Sequence, residues 1–202
     1  MSSFTILNDI SIEIRRRLFE ALRDAPGADL GFTNESSNIS LSPPNNTLDN
    51  TVQLSLYLYH LEISATMRNQ RTLPQPGSDN EQRLPPLPLE LYYLATPVDD
   101  EEKNQLIAGR LMQTIYDNPS FSDLNNVPLD NSFGGGSGKV RITPNLLNVE
   151  QMSQLWNSLN QPYRLAIGLK VEVISIDSAN MPTQIPRVKE VFTLAGGKER
   201  NS

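Results

Sequence analysis

The segment TVQLSLYLYHLEISAT, residues 51–66, decides the fold. From Val52 to Leu58 its apolar residues hold even positions (Val52, Leu54, Leu56, Leu58), and from Tyr57 to Ile63 they hold odd ones (Tyr57, Tyr59, Leu61, Ile63). Period-two alternation marks a β-strand, and a single change of phase inside it marks a bulge or a passage between two packing environments. A strand of this length extends beyond the core of its own domain. Two further long strands are predicted, LPLELYYLAT (87–96), closed by Pro97, and YRLAIGLKVEV (163–173). In the latter Tyr163, Leu165, Ile167, Leu169, Val171 and Val173 alternate with Arg164, Ala166, Gly168, Lys170 and Glu172, a face left for solvent or for close small-residue contact. Shorter strands are expected at Ile39–Leu41, at 139–143 and, bounded by Pro186, at Val188–Leu194.

Helices fall between these strands. Ile6, Ile10 and Ile14, with Leu7, Leu18 and Leu22, recur at three- and four-residue spacing and predict a helix over 5–24, ended by Pro26-Gly27. Arg15, Arg16 and Arg17 lie opposite that stripe, as a solvated face or a docking surface for an acidic partner. A second helix runs from Asp99-Asp100-Glu101-Glu102 to about Asn118, with Leu106, Ile107, Leu111 and Ile115 as its buried stripe. The four acids suit the positive end of the helix dipole and its free N–H groups better than a metal. A third helix at 149–159 has Asn148 as N-cap and Gln151 three residues on, a capping box, with Leu155, Trp156 and Leu159 as its apolar contacts. Residues 31–50, 67–86 and 120–138 read as mobile loops, the last ending in a glycine-rich linker, Gly134-Gly135-Gly136-Ser137-Gly138. The fold class expected is α+β: a mixed or antiparallel central sheet of long strands packed by about three helices. One domain spans 1–178, and 179–202 is a C-terminal extension.

The 202 residues contain no cysteine, one histidine, 17 Lys+Arg and 23 Asp+Glu, a net charge of −6. Disulfides, cysteine-ligated zinc and cysteine nucleophiles are excluded, and a histidine triad has His60 alone to draw on. The acidic balance argues against duplex DNA, which needs a basic footprint. Nowhere do eighteen apolar residues run together, and 1–24 lacks the apolar core of a signal peptide, so synthesis and assembly in the cytoplasm are expected, with no membrane insertion. Gly134–Lys139 fails as a phosphate loop: no glycine stands five positions before Gly138, Val140 replaces the hydroxyl residue, and a strand follows. His60 and Glu62 share a strand face but have no recognisable nucleophile or metal site around them, and no cofactor or metal is expected.

Five segments in order carry a family resemblance. They are the helix opening ILNDI, LSLYLYHLEISATMRNQR (54–71), LPPLPLELYYLATP (84–97), DEEKNQLIAGRLMQTIYDNP (100–119) and LNVEQMSQLWNSLNQPYRLAIGLKVEVISID (147–177). Together they resemble the domain of unknown function at the N-terminal part of cap proteins in contractile injection systems, the phage-tail-like particles exemplified by the Photorhabdus virulence cassettes and the antifeeding prophage. Some members continue into a further C-terminal region; this chain stops soon after the domain. The resemblance implies a tail terminator rather than an enzyme. Such a terminator is a ring, hexameric in this family, on the baseplate-distal end of tube and sheath, with copies of itself, sheath and inner-tube proteins as partners and no nucleic acid.

Candidate interface residues on this reading are Arg15, Arg16 and Arg17, then Tyr57, Tyr59 and His60, where the long strand changes phase, and Val191, Phe192 and Leu194 in the last strand. The last of these could add an edge strand to a neighbour or pair within its own chain. Two other classes stay open: another assembly component of such a particle (baseplate, tube-completion or chaperone protein), and a small enzyme or carbohydrate-binding domain built on His60, Glu62 and nearby tyrosines.

Overall fold

The computed structural model describes residues 4–45, 48–65, 81–82, 86–129, 138–180 and 183–184. The chain divides into two units, residues 1–69 with 86–177, and residues 70–85 with 178–202. In the second, Glu81–Gln82 (β3) pairs antiparallel with Thr183–Gln184 (β10). The predicted edge strand Val188–Leu194 and the glycine run 134–137 lie outside the described residues.

The first unit is a six-stranded mixed sheet with helices on both faces. Its strands are Ile39–Ser40 (β1), Leu54–Ile63 (β2), Leu87–Pro97 (β4), Ser120–Phe121 (β5), Val140–Pro144 (β8) and Ile167–Ile176 (β9), in the order β1-β2-β4-β9-β8-β5. Only β1 and β2 run parallel; every other neighbouring pair is antiparallel.

The phase change in β2 is a bulge. Leu58 faces Tyr93 and His60 faces Tyr92, so Tyr59 is the extra residue. Paired residues share a face, and beyond the bulge Leu61 faces Leu91 and Ile63 faces Leu89. Leu54, Leu56, Leu58, Leu61 and Ile63 therefore stay on one side of the sheet although their numbers change from even to odd. Burial falls along the strand, from Leu54–Leu56, which are buried, to His60–Ile63, which are exposed. A second bulge in β9 moves the register from Val171–Leu91 to Ile174–Leu89. This corrects the expectation of one unbroken alternation over 163–173: Tyr163 and Leu165 are exposed ahead of the strand, and the core-facing phase passes to Ile174 and Ile176.

Helix α1 (Ile6–Arg23) buries Ile6, Ile10, Ile14, Leu18, Phe19 and Leu22, and helix α3 (Glu101–Asp117) buries Ile107, Ala108, Leu111 and Ile115. Both belong to one core with Leu56, Leu89, Leu91, Tyr93, Leu169, Val171 and Ile174. The acids ahead of α3 do act as caps: Asp100 accepts from the Lys103 backbone N–H at 2.9 Å, and Asp99 bonds the Lys103 ammonium at 2.6 Å. Leu106, predicted to be buried, is exposed instead.

The opposite face carries helix α4 (Val149–Ser158) over a smaller cluster of Leu94, Met152 and Trp156. Its capping box is complete, Asn148 accepting from the Gln151 N–H at 2.8 Å and Gln151 from the Asn148 N–H at 3.0 Å. The turn into α4 crosses the sheet at Gly168. The Asn145 N–H donates to the Gly168 carbonyl at 2.8 Å, and a Cβ at Gly168 would meet the Asn145 carbonyl oxygen at 2.6 Å. That close approach explains the glycine on the non-core side of β9.

Two predicted loops hold more structure than expected. Within 31–50 a single helical turn, Glu35–Asn38 (α2), precedes β1, with Asn34 accepting from the Ser37 N–H. The buried Asn38 amide organises this segment, its oxygen accepting from the Thr33 and Asn34 N–H groups and its nitrogen donating to the Thr51 carbonyl. Within 120–138, β5 buries Phe121 at the sheet edge, and Asp123–Leu124 (β6) and Val127–Pro128 (β7) form a hairpin. Asn125 and Asn126 turn it with φ of 49° and 62°, the left-handed pair that a two-residue hairpin requires and asparagine tolerates.

Candidate assembly surfaces

The arginine triplet lies half-buried, and the chain supplies its own carboxylates. Arg15 meets Glu35 at 2.8 Å, Arg16 meets Glu13 at 2.5 Å and Glu20 at 2.7 Å, and Arg17 meets Glu13 at 2.6 Å and Asp123 at 3.0 Å. The Arg17 guanidinium also lies 4.7 Å from the centre of the Phe121 ring. Glu13 joins two of these arginines, and its carboxylate is fully buried. Burial raises its pKa, but hydrogen bonds from Arg16 and Arg17 outweigh that and hold it below the ordinary 4.5. Because the folded value lies below the unfolded one, this stabilisation is complete above about pH 4.5 and is lost as pH falls through the folded value. Glu13→Gln is expected to lower stability at pH 7 by about 2–3 kcal/mol, since hydrogen bonds to charged groups are the strong ones. The same variant should flatten the acid limb of a stability–pH curve measured by urea denaturation from pH 7 to pH 3.

Tyr57, Tyr59 and His60 surround the β2 bulge. Tyr57 is half-buried opposite Leu94, and the Tyr59 hydroxyl accepts from the Asn145 amide at 3.3 Å while its ring packs on the α4 cluster. His60 is exposed, with its Nε2 3.8 Å from Glu62 and its ring centroid 5.4 Å from that of Tyr92. The Tyr92 hydroxyl donates to Glu62, and Lys170 bonds Glu90 at 2.8 Å and approaches Glu172 at 3.7 Å. Burial and the Glu62 carboxylate both push the Tyr92 hydroxyl well above its usual pKa. For Glu90, burial works against ionisation, but Lys170 and Ser64 hold the carboxyl below its usual value. The resulting network ties β2, β4 and β9 together across the sheet, with the tyrosine kept protonated and the lysine kept charged. Val191, Phe192 and Leu194 lie outside the described residues.

The surface also shows apolar groups that the sequence reading did not assign to contacts. Leu61, Ile63 and Leu87 are exposed toward one end of the sheet. On α3, Leu106, Met112 and Tyr116 are exposed, and around the β8–α4 turn and the approach to β9, Leu146, Val149, Tyr163 and Leu165. A signal for α3 was present: its apolar residues exceed what one buried stripe needs. A cleft of about 380 Å³ opens between α1 and α3, floored by Ile14, Leu18, Ile115 and Phe121 and rimmed by Glu20 and Arg110.

No curated protein sequence matches the chain. Solved structures that share the fold include two terminators. One is the sheath/tube terminator, in the extended state, of an extracellular contractile injection system, PVC (TM-score 0.59, 14% identity, 97% of this chain and 66% of that one). The other is the tube-terminating cap of the anti-feeding prophage (TM-score 0.54, 16% identity, 91% of this chain and 60% of that one). The chain thus spans less than two thirds of the length of each, 66% of the first and 60% of the second. Residues 10–190 match the model of the Pvc16 N-terminal domain, and the chain belongs to that family.

Proposed function

We propose that this protein is a cap of a contractile injection system, a tail terminator that closes the baseplate-distal end of tube and sheath. The observation that carries the reading is the family match over residues 10–190, joined by the likeness in fold to two terminators. Copies form a closed ring, six to the ring, through heterologous contacts in which one patch of each subunit meets a different patch of the next. One side of the ring fits the last layer of tube and sheath. The other side fits nothing that polymerises, so growth stops. The work is done by complementary surface and calls for no catalytic step. The arginine face, the residues around the bulge and the segment 188–194 are the surfaces offered to neighbours. Among the described residues no helix is long and apolar enough to cross a membrane.

The test is polymerisation of the cognate tube protein with and without this chain, followed by negative-stain electron microscopy. Shorter tubes of uniform length, each bearing density at one end, are the expected result. Tubes of unchanged length with the protein free in the supernatant would overturn the cap reading. Density at the baseplate end would favour another assembly component instead.

A further inference from the structure

The two edges of the six-stranded sheet differ. At one, β5 is two residues long and follows Pro119 directly, which leaves little backbone for another chain to pair with. At the other, β1 covers β2 at Leu54 and Ser55 alone, whereas β4 follows the inner side of β2 as far as Ile63. Among the described residues nothing bonds the outer N–H and C=O groups of β2 from Leu56 to Ile63. From His60 onward this edge is exposed as well. Natural sheets guard such an edge with a lysine or proline in the strand, or with a bulge. β2 has neither lysine nor proline, and its bulge, at Tyr59, comes before the exposed stretch. On the core side of the open edge stand the exposed Leu61 and Ile63, and on the other side stands Glu62, paired with Glu90 of β4. Unpaired main-chain groups between an apolar strip and a carboxylate call for an extended segment, apolar on one side and basic on the other.

Outside the described residues the sequence holds one run of that composition, Val188–Leu194; 67–80 and 130–137 are rich in glycine, proline and amides instead. In an extended run Phe192 and Leu194 share one side with Val188 and Glu190, while Arg187, Lys189, Val191 and Thr193 share the other. The two-residue spacing of Phe192 and Leu194 matches that of Leu61 and Ile63. Laying the first pair over the second turns Arg187 and Lys189 to the side of Glu62. We infer that the outer edge of β2 receives Val188–Leu194 of a second copy of this chain as an added strand. Each subunit then has one acceptor edge and one donor segment, and these are different patches, as a ring of copies requires. Main-chain hydrogen bonds supply the affinity, and the apolar pairs and the two cations set the register. This deepens the cap reading, on which it rests for the premise that copies meet, by naming the two halves of the contact.

The experiment uses the full chain, which has no cysteine of its own to interfere. One protein carries Ile63→Cys on the acceptor edge and another carries Leu194→Cys on the donor segment. Treated at high protein concentration with a short bismaleimide cross-linker, their equimolar mixture is expected to give a dimer band in denaturing electrophoresis. A chain with both substitutions should give a ladder of multimers. Adding Phe192→Pro and Thr193→Pro removes a main-chain donor whichever of the two faces the edge. That change should abolish the ladder and leave circular dichroism and Tm as they were. A doubly substituted chain that links only within itself, a mixture without the dimer, or a ladder that survives the added changes would each overturn the inference. Rings seen in sedimentation but never cross-linked through these positions would overturn it too, while the tube-length assay would still decide the cap reading.

Discussion

Tyr93→Ala is expected to destabilise the protein by about 3–5 kcal/mol, a large part of the stability of any single domain. Tyr93 is fully buried in β4, the strand that both β2 and β9 flank, and it belongs to the core beneath α1. Its hydroxyl lies 2.8 Å from the Ser11 oxygen, and Ser11 itself donates to the Leu7 carbonyl at 2.8 Å. The serine proton is thus committed, so Tyr93 donates to Ser11 and pins α1 to the sheet. Burial, opposed by the Ser11 hydrogen bond, pushes the tyrosine pKa up to about 12, so the donor persists across the working pH range. Tyr93→Phe separates the two contributions: it keeps the ring and removes one hydrogen bond, at a cost of about 1 kcal/mol. Urea denaturation of the three proteins would check this, with the midpoint moving and the slope unchanged.

Trp156→Ala should cost a similar 3–5 kcal/mol when the whole α4 layer is counted, but the loss should be confined to that layer. Trp156 is 1% exposed, and its cluster contains just two other fully packed apolar residues, Leu94 and Met152. Removing the indole takes away most of what α4 rests on, and the main core lies on the other side of the sheet. Amide exchange of 149–158 should accelerate well before that of β4 and β9 does. If exchange rises equally in both regions, the two layers are one cooperative unit. The indole N–H has no acceptor among the described residues, so Trp156→Phe removes size without breaking a hydrogen bond and should be far milder.

Much of this architecture was legible in the sequence because it depends on local pattern. The phase change in 51–66 left a bulge or a change of packing environment open, and the bulge is what the strand holds, while the Asn148–Gln151 spacing foretold a capping box that closes with both bonds. What escaped is non-local. The partners of Arg17 include Asp123, 106 positions away, and no periodicity announces such a pairing. The bulge in β9 was missed because Val173 prolongs the odd-numbered alternation, so the change of phase shows only beyond the end assigned to the strand. Leu106 adjoins Ile107 in sequence, but it stands about 140° round the helix from Leu111 and about 180° from Ile115, so it falls outside the stripe that Ile107, Leu111 and Ile115 bury. Of the proposed contact surfaces, the arginines and the bulge residues stood out by composition and phase.

The two bulges have a consequence for how this sheet can evolve. Each adds one residue to a strand flanking β4 while leaving the partners on either side of it in register. Deleting Tyr59 would bring Leu58 and His60 together opposite Tyr93 and Tyr92 as a regular ladder, and removing one residue between Val171 and Ile174 would do the same on the other flank. Most folds confine changes of chain length to their loops. This one can gain or lose a residue at two points inside its own sheet, and single-residue gaps should gather there when relatives are aligned.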